Sequence, residues 1–243
     1  MDIRTISRAA GAAALVVGPL ASAAPIVVTD SENSTVAEQL AGYAANPGAA
    51  QASNVLLLLI IAVVPAMIYA ARLARPGAPK LAFAGGALAA LGWLAGMISI
   101  GAGQIALYQG SRLSDRAAAA ALIEGMNADP VYGSLVGVFV IGHIAGMVLL
   151  GVALWRSRAV PSWAAGLFIA YPVLHFIAHA TIPAIDSVAK VAFVISAVVI
   201  AVRILRTSND RWDLPADAGA AIPQLPVVEV ALPSASGRAH NQR

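Results

Sequence analysis

Six long apolar runs constrain this chain more than any other feature. They cover residues 7–28, 54–71, 81–107, 131–155, 163–181 and 183–205. A helix needs ~20 predominantly apolar residues to cross a hydrocarbon core about 30 Å thick. A membrane β-barrel would instead show short alternating segments. The continuous runs predict an all-α integral membrane bundle of six transmembrane helices over residues 1–206, followed by a disordered cytoplasmic tail over 207–243 that carries Pro215, Pro223, Pro226 and Pro233.

Composition points the same way. Only 11% of the 243 residues are charged and 59% are apolar, whereas an ordinary soluble domain carries ~25% charge. A soluble enzyme, a nucleic-acid binder and a disordered protein are all poor fits, and the net charge of +3 contains no basic block. The absence of cysteine removes disulfides, thiolate catalysis and cysteine-held metals.

Lysine and arginine set the orientation. With the N-terminus in the cytoplasm, that side holds Arg4, Arg8, Arg72, Arg75, Lys80, Arg156, Arg158, Arg203, Arg206, Arg211, Arg238 and Arg243. The other side holds only Arg112 and Arg116, and Lys190 falls within a span. Both ends are therefore expected inside, in the cytoplasmic membrane. Trp155 and Trp163 flank a short connection, where aromatic rings suit the interface. Spans five and six are so close in sequence that they must form a tight hairpin. The first span reads as a retained helix. The alternative is a signal peptide, with Ala21, Ser22 and Ala23 as its small-residue cleavage site.

Two outer connections are long. Residues 34–45 are expected to form a short helix capped by Ser34 and ended near Pro47, and residues 111–126 an alanine-rich one. Gly92 with Gly96, Gly133 with Gly137, and Gly142 with Gly146 have the spacing that lets helices approach closely. Pro65 and Pro172 are expected to interrupt their spans.

Ionisable groups inside spans are costly and mark candidate sites. They concentrate in the C-terminal half: His143, His175, His179, Asp186 and Lys190. Tyr171, His175 and His179 recur every fourth residue, one stripe on helix five. Asp186 and Lys190 form an i, i+4 pair on helix six, with Lys190 expected to reach back to the acid. Counted from the cytoplasmic helix ends, His143, His175 and Lys190 lie at ~18–20 Å, with His179 and Asp186 further out. A pocket between helices four, five and six is the expectation, and its alternatives are neutral packing histidines and a self-neutralised pair.

Several chemistries meet these residues. His175 and His179 have metal-ligand spacing, but no neighbouring glutamate completes a hydrolase motif, so no metal or other cofactor is expected. Asp186 four residues before Lys190 is similar to the retinal-binding helix of microbial rhodopsins, yet six spans and no aromatic cage near Lys190 argue against it. The rhomboid protease nucleophile motif is absent at Ser134. Histidine, aspartate and lysine together suit proton handling. The leading reading is a protein that binds or passes a small solute or proton. The alternatives are a membrane-embedded enzyme with a His/Asp acid-base or metal site, and a non-catalytic sensory or interaction protein.

Residues 142–180, with the turn from Arg75 to Pro79, resemble uncharacterised multi-pass membrane proteins of actinobacteria. The resemblance implies six membrane helices and brings no substrate, cofactor or catalytic residue.

Overall fold

The computed structural model describes residues 2–24, 34–178 and 182–213, and every regular element among them is helical. Five stretches are long and apolar enough to cross a membrane: Ile3–Ala23, Pro47–Ala74, Pro79–Gly110, Pro130–Arg156 and Ala184–Arg206. Of the six expected spans, the fifth is a shorter apolar helix, Ser162–Ala178, of 17 residues. Its expected end at Thr181 lies outside the described residues, as do 25–28 of the first run.

Helix α1 (Ile3–Ala23) is built into the bundle, packed on α4 (Val63–Ala74) and α10 (Pro183–Arg206) with Leu15 fully buried. Its start is tied to the far end of the described chain. Asn209 Nδ2 donates to Asp2 Oδ2 at 2.7 Å, Arg4 pairs with Asp213 at 2.7 Å, and Arg8 donates to the Thr207 carbonyl.

Helix α3 (Pro47–Ile60) begins earlier than expected, with its proline in the first turn, where a missing N–H costs nothing. The break before α4 falls at residues 61–62, not at Pro65. Pro65 has no N–H to offer the Ile61 carbonyl, which accepts from Val64 N at 3.1 Å instead. Pro172, also expected to interrupt, sits inside α9 (Ser162–Ala178) without ending it.

Helix α5 (Pro79–Gly110) is the central post. Against it runs α7 (Pro130–Ile141), a π turn (Gly142–Gly146) and α8 (Met147–Arg156), where one uninterrupted helix was expected. A Cβ on Gly92 would lie 2.6 Å from the Gly142 carbonyl carbon and His143 N, so the two backbones touch there. Gly133 and Gly137 are different: nothing lies within 4 Å of a Cβ at either, so this expected packing pair makes no close approach.

Over the C-terminal end of α5 lie α2 (Val36–Ala45) and α6 (Arg116–Asn127), joined to it by a small separate core of Leu40, Ala119, Ala120 and Ile123. The cap of α2 is Thr35, not Ser34. Glu38 N donates to the Thr35 hydroxyl at 3.3 Å, while Thr35 N donates to the Glu38 carboxylate at 2.6 Å. Helix α2 ends at Asn46, and Pro47 opens the next helix rather than a loop. Asp115 caps α6, so that helix starts at Arg116 rather than at 111.

At the opposite end, α8 closes in a Schellman motif. Ala159 N donates to Leu154 O at 3.2 Å and Arg158 N to Trp155 O at 3.0 Å. Arg158 holds the left-handed position (φ 53°) that usually falls to glycine, at a cost of ~1–2 kcal/mol. Gly77 touches this turn, since a Cβ there would lie 2.7 Å from Ser157 Cα. The tail expected to lack structure from Thr207 instead opens with a short helix, α11 (Asn209–Trp212). Trp212 is buried, stacks on Tyr69 at 6.1 Å, and carries the Arg72 guanidinium 4.7 Å above its ring. The rest of the expected tail, from 214 on, lies outside the described residues.

The exterior is apolar to an extent that suits hydrocarbon. Phe83 is 78% exposed, Leu58 70% and Val188 67%. Soluble monomers rarely leave such side chains in large contiguous patches.

Candidate functional site

The site grows from the α9 and α10 hairpin. Ile182 N donates to the Ala178 carbonyl at 2.7 Å, which brings the first turn of α10 beside the last turn of α9. Asp186 stands in that first turn, one turn before Lys190. Lys190 Nζ reaches back to Asp186 Oδ2 at 2.7 Å, as helical side-chain direction dictates. His175 Nδ1 bonds the other carboxylate oxygen. Asp186 is only 5% exposed, so its charge is drawn out of solvent and held by two neighbours.

One turn along α9, Tyr171 stacks on His175 (5.5 Å between ring centroids) and on Phe193 of α10 (4.2 Å, planes within 5°). The expected stripes on the two helices therefore face each other. The separate layers expected from residue counting merge, because Asp186 contacts both His175 and Lys190.

His143 lies behind this pair, presented by the π turn. It is fully buried, and among the described residues neither ring nitrogen has a hydrogen-bond partner. Aromatic rings enclose it: Trp93 at 4.6 Å, Phe139 and Phe176 each at 5.3 Å, Tyr171 at 5.5 Å and His175 at 6.1 Å. The Trp93 indole N–H, in the same enclosure, is likewise buried and without a partner.

Five of the six sequence candidates thus come together: His143, Tyr171, His175, Asp186 and Lys190. The sixth, His179, lies outside the described residues, and with it the metal-spaced pair. Among the described residues no group of three or more His, Asp or Glu side chains is arranged to hold a metal. Sequence reasoning missed the aromatic enclosure. Phe139 stands four residues before His143, and Trp93 follows Gly92, so both were readable as neighbours of the small-residue motifs. The π turn left no trace in the residue pattern.

Neutral His175 bonded through Nδ1 carries its proton toward Asp186, and an added proton goes to Nε2. That step takes the cluster of His175, Asp186 and Lys190 from neutral to +1. Among the described residues His143 and Asp186 are the only buried titratable groups, apart from tyrosine. Further toward the arginine-rich end the large buried side chains are Met147, Leu150, Phe168, Ile200 and Ile204, with one buried hydroxyl, Ser196, which donates to the Phe193 carbonyl at 2.8 Å.

No family model, curated protein or solved structure matches this chain. Function therefore rests on the side chains themselves.

Proposed function

We propose that this is a multi-pass protein of the cytoplasmic membrane, with both ends inside, whose outward-facing cluster of His175, Asp186 and Lys190 binds a proton. The actinobacterial resemblance is carried forward with the same architecture. The apolar exterior, the exposed Trp155 and Trp163, and the gathering of arginines at one end support the placement. The observation that carries the proton reading is the buried Asp186 carboxylate, held between His175 and Lys190, with the dry His143 ring behind it. Binding is favoured over passage because, among the described residues, no buried titratable group other than tyrosine lies beyond His143 toward the arginine-rich end.

Proton counting tests the site. Between pH 8 and pH 5 the purified protein is expected to take up about one proton more than the His175→Gln variant, the range in which histidine titrates. Equal uptake overturns the reading. The orientation is tested in the naturally cysteine-free chain. Ser114→Cys should react with an impermeant maleimide on intact cells, and Ser208→Cys only after lysis. The reverse pattern inverts the topology.

A further inference from the structure

The end of the bundle away from the histidine cluster holds a second feature. Five arginines, Arg72, Arg158, Arg203, Arg206 and Arg211, line one cleft of about 620 Å³ together with Trp212, and the Arg72 guanidinium is already bonded to the Trp212 carbonyl and Asp213. They come from α4, the turn after α8, the end of α10 and α11. Among the described residues the only carboxylate paired with any of them is Asp213, on Arg72 at 3.0 Å, and it is shared with Arg4. A charge bias that served orientation alone would be met by arginines scattered around the helix ends. Here they converge, against their own repulsion, around an open space.

Arg72 also borders a second groove, of about 950 Å³, on the outer face of α4 and α5. Its lining is apolar, with Ile68, Phe83, Ala87 and Leu91, and Arg75 and Lys80 stand at one end. From Lys80 to Leu91 the helix rises ~17 Å, close to the depth of one leaflet's hydrocarbon. A charged cleft therefore opens at the mouth of an acyl-sized groove, with one arginine common to both.

We propose that this end binds an anionic phospholipid, its phosphate headgroup in the arginine cleft and one acyl chain along the α4 and α5 groove. Guanidinium forks match phosphate oxygens in pairs, and basic pockets at the cytoplasmic ends of membrane helices suit anionic headgroups. The proposal rests on the membrane placement above and is independent of the proton site.

The test is lipid retention by the full-length protein in neutral detergent, read by native mass spectrometry with dioleoyl phosphatidylglycerol and dioleoyl phosphatidylcholine. The anionic lipid is expected to bind at least ~10-fold tighter. Arg203→Gln combined with Arg206→Gln should remove that preference. Arg158→Gly keeps the turn, because glycine suits the left-handed position, and should still weaken binding. Ala87→Trp, which fills the groove and spares the arginines, should weaken lipid but not inorganic phosphate. Equal retention of both lipids, or an unchanged preference in the arginine variants, overturns the proposal. So does inorganic phosphate binding with no effect of Ala87→Trp, which would make the occupant a free anion. A protein that stays folded without detergent refutes the membrane placement itself, whereas one that needs detergent yet shows no lipid preference refutes only this site.

Discussion

The two ends of the bundle treat charge in opposite ways. At the hairpin end one buried carboxylate is matched by a lysine and a histidine within hydrogen-bond reach. At the arginine end five cations share a cleft with one carboxylate, and all five remain exposed. The contrast follows from solvent access. Where water reaches, like charges are screened and an excess is tolerated. Where it does not, a charge persists only beside its complement.

The sharpest way to break this comparison is to remove the complement. Asp186→Asn strands Lys190 and should cost ~3–5 kcal/mol, read as thermal or denaturant unfolding in detergent. Arg206→Gln at the exposed end should stay within ~0.5 kcal/mol. Equal losses would mean that burial does not distinguish the two ends.

A smaller effect of opposite sign is expected just behind the hairpin. His143→Phe replaces an unpaired imidazole with an apolar ring of similar shape among Trp93, Phe139 and Phe176. The substitution should raise stability by ~1–3 kcal/mol, the usual penalty of an unsatisfied buried polar group. A drop in unfolding temperature would show that the ring has a partner the described residues do not supply.

The smallest effect sharpens the comparison at the start of α2. The Thr35 backbone N–H and hydroxyl hold the Glu38 carboxyl below its ordinary value of 4.5. A depressed carboxylate adds stability above its unfolded value, and that stability is lost as pH falls through the folded value. Glu38→Gln should therefore speed hydrogen exchange of the α2 amides slightly at pH 7, by a margin that shrinks as pH falls through the folded carboxyl's lowered value.

The helical class and five of the long helices were legible because long apolar runs announce themselves by length. The pairing of Asp186 with Lys190, and the facing of His175 toward them, followed from i, i+4 spacing and a short hairpin. The sequence misled where several local rules compete. Pro65 broke its helix one turn upstream, at the carbonyl it could not serve. Gly133 and Gly137 have the spacing of a packing face, but spacing alone does not say which face meets a neighbour. Arg158 stands where glycine was the natural guess, so the end of α8 carried no marker. The arginine cleft was beyond reach for another reason: its members come from four segments that only the fold brings together.

The ties between Asp2, Arg4 and Arg8 and residues 207–213 carry a consequence for biogenesis. Translation delivers α1 long before α10 and α11 exist. Until they emerge, the first helix lacks the neighbour that buries much of its inner face. Its final seat is reached only after α10 has been made, so α1 must wait for a partner nearly the whole described chain away, and their packing closes a ring rather than adding a strut.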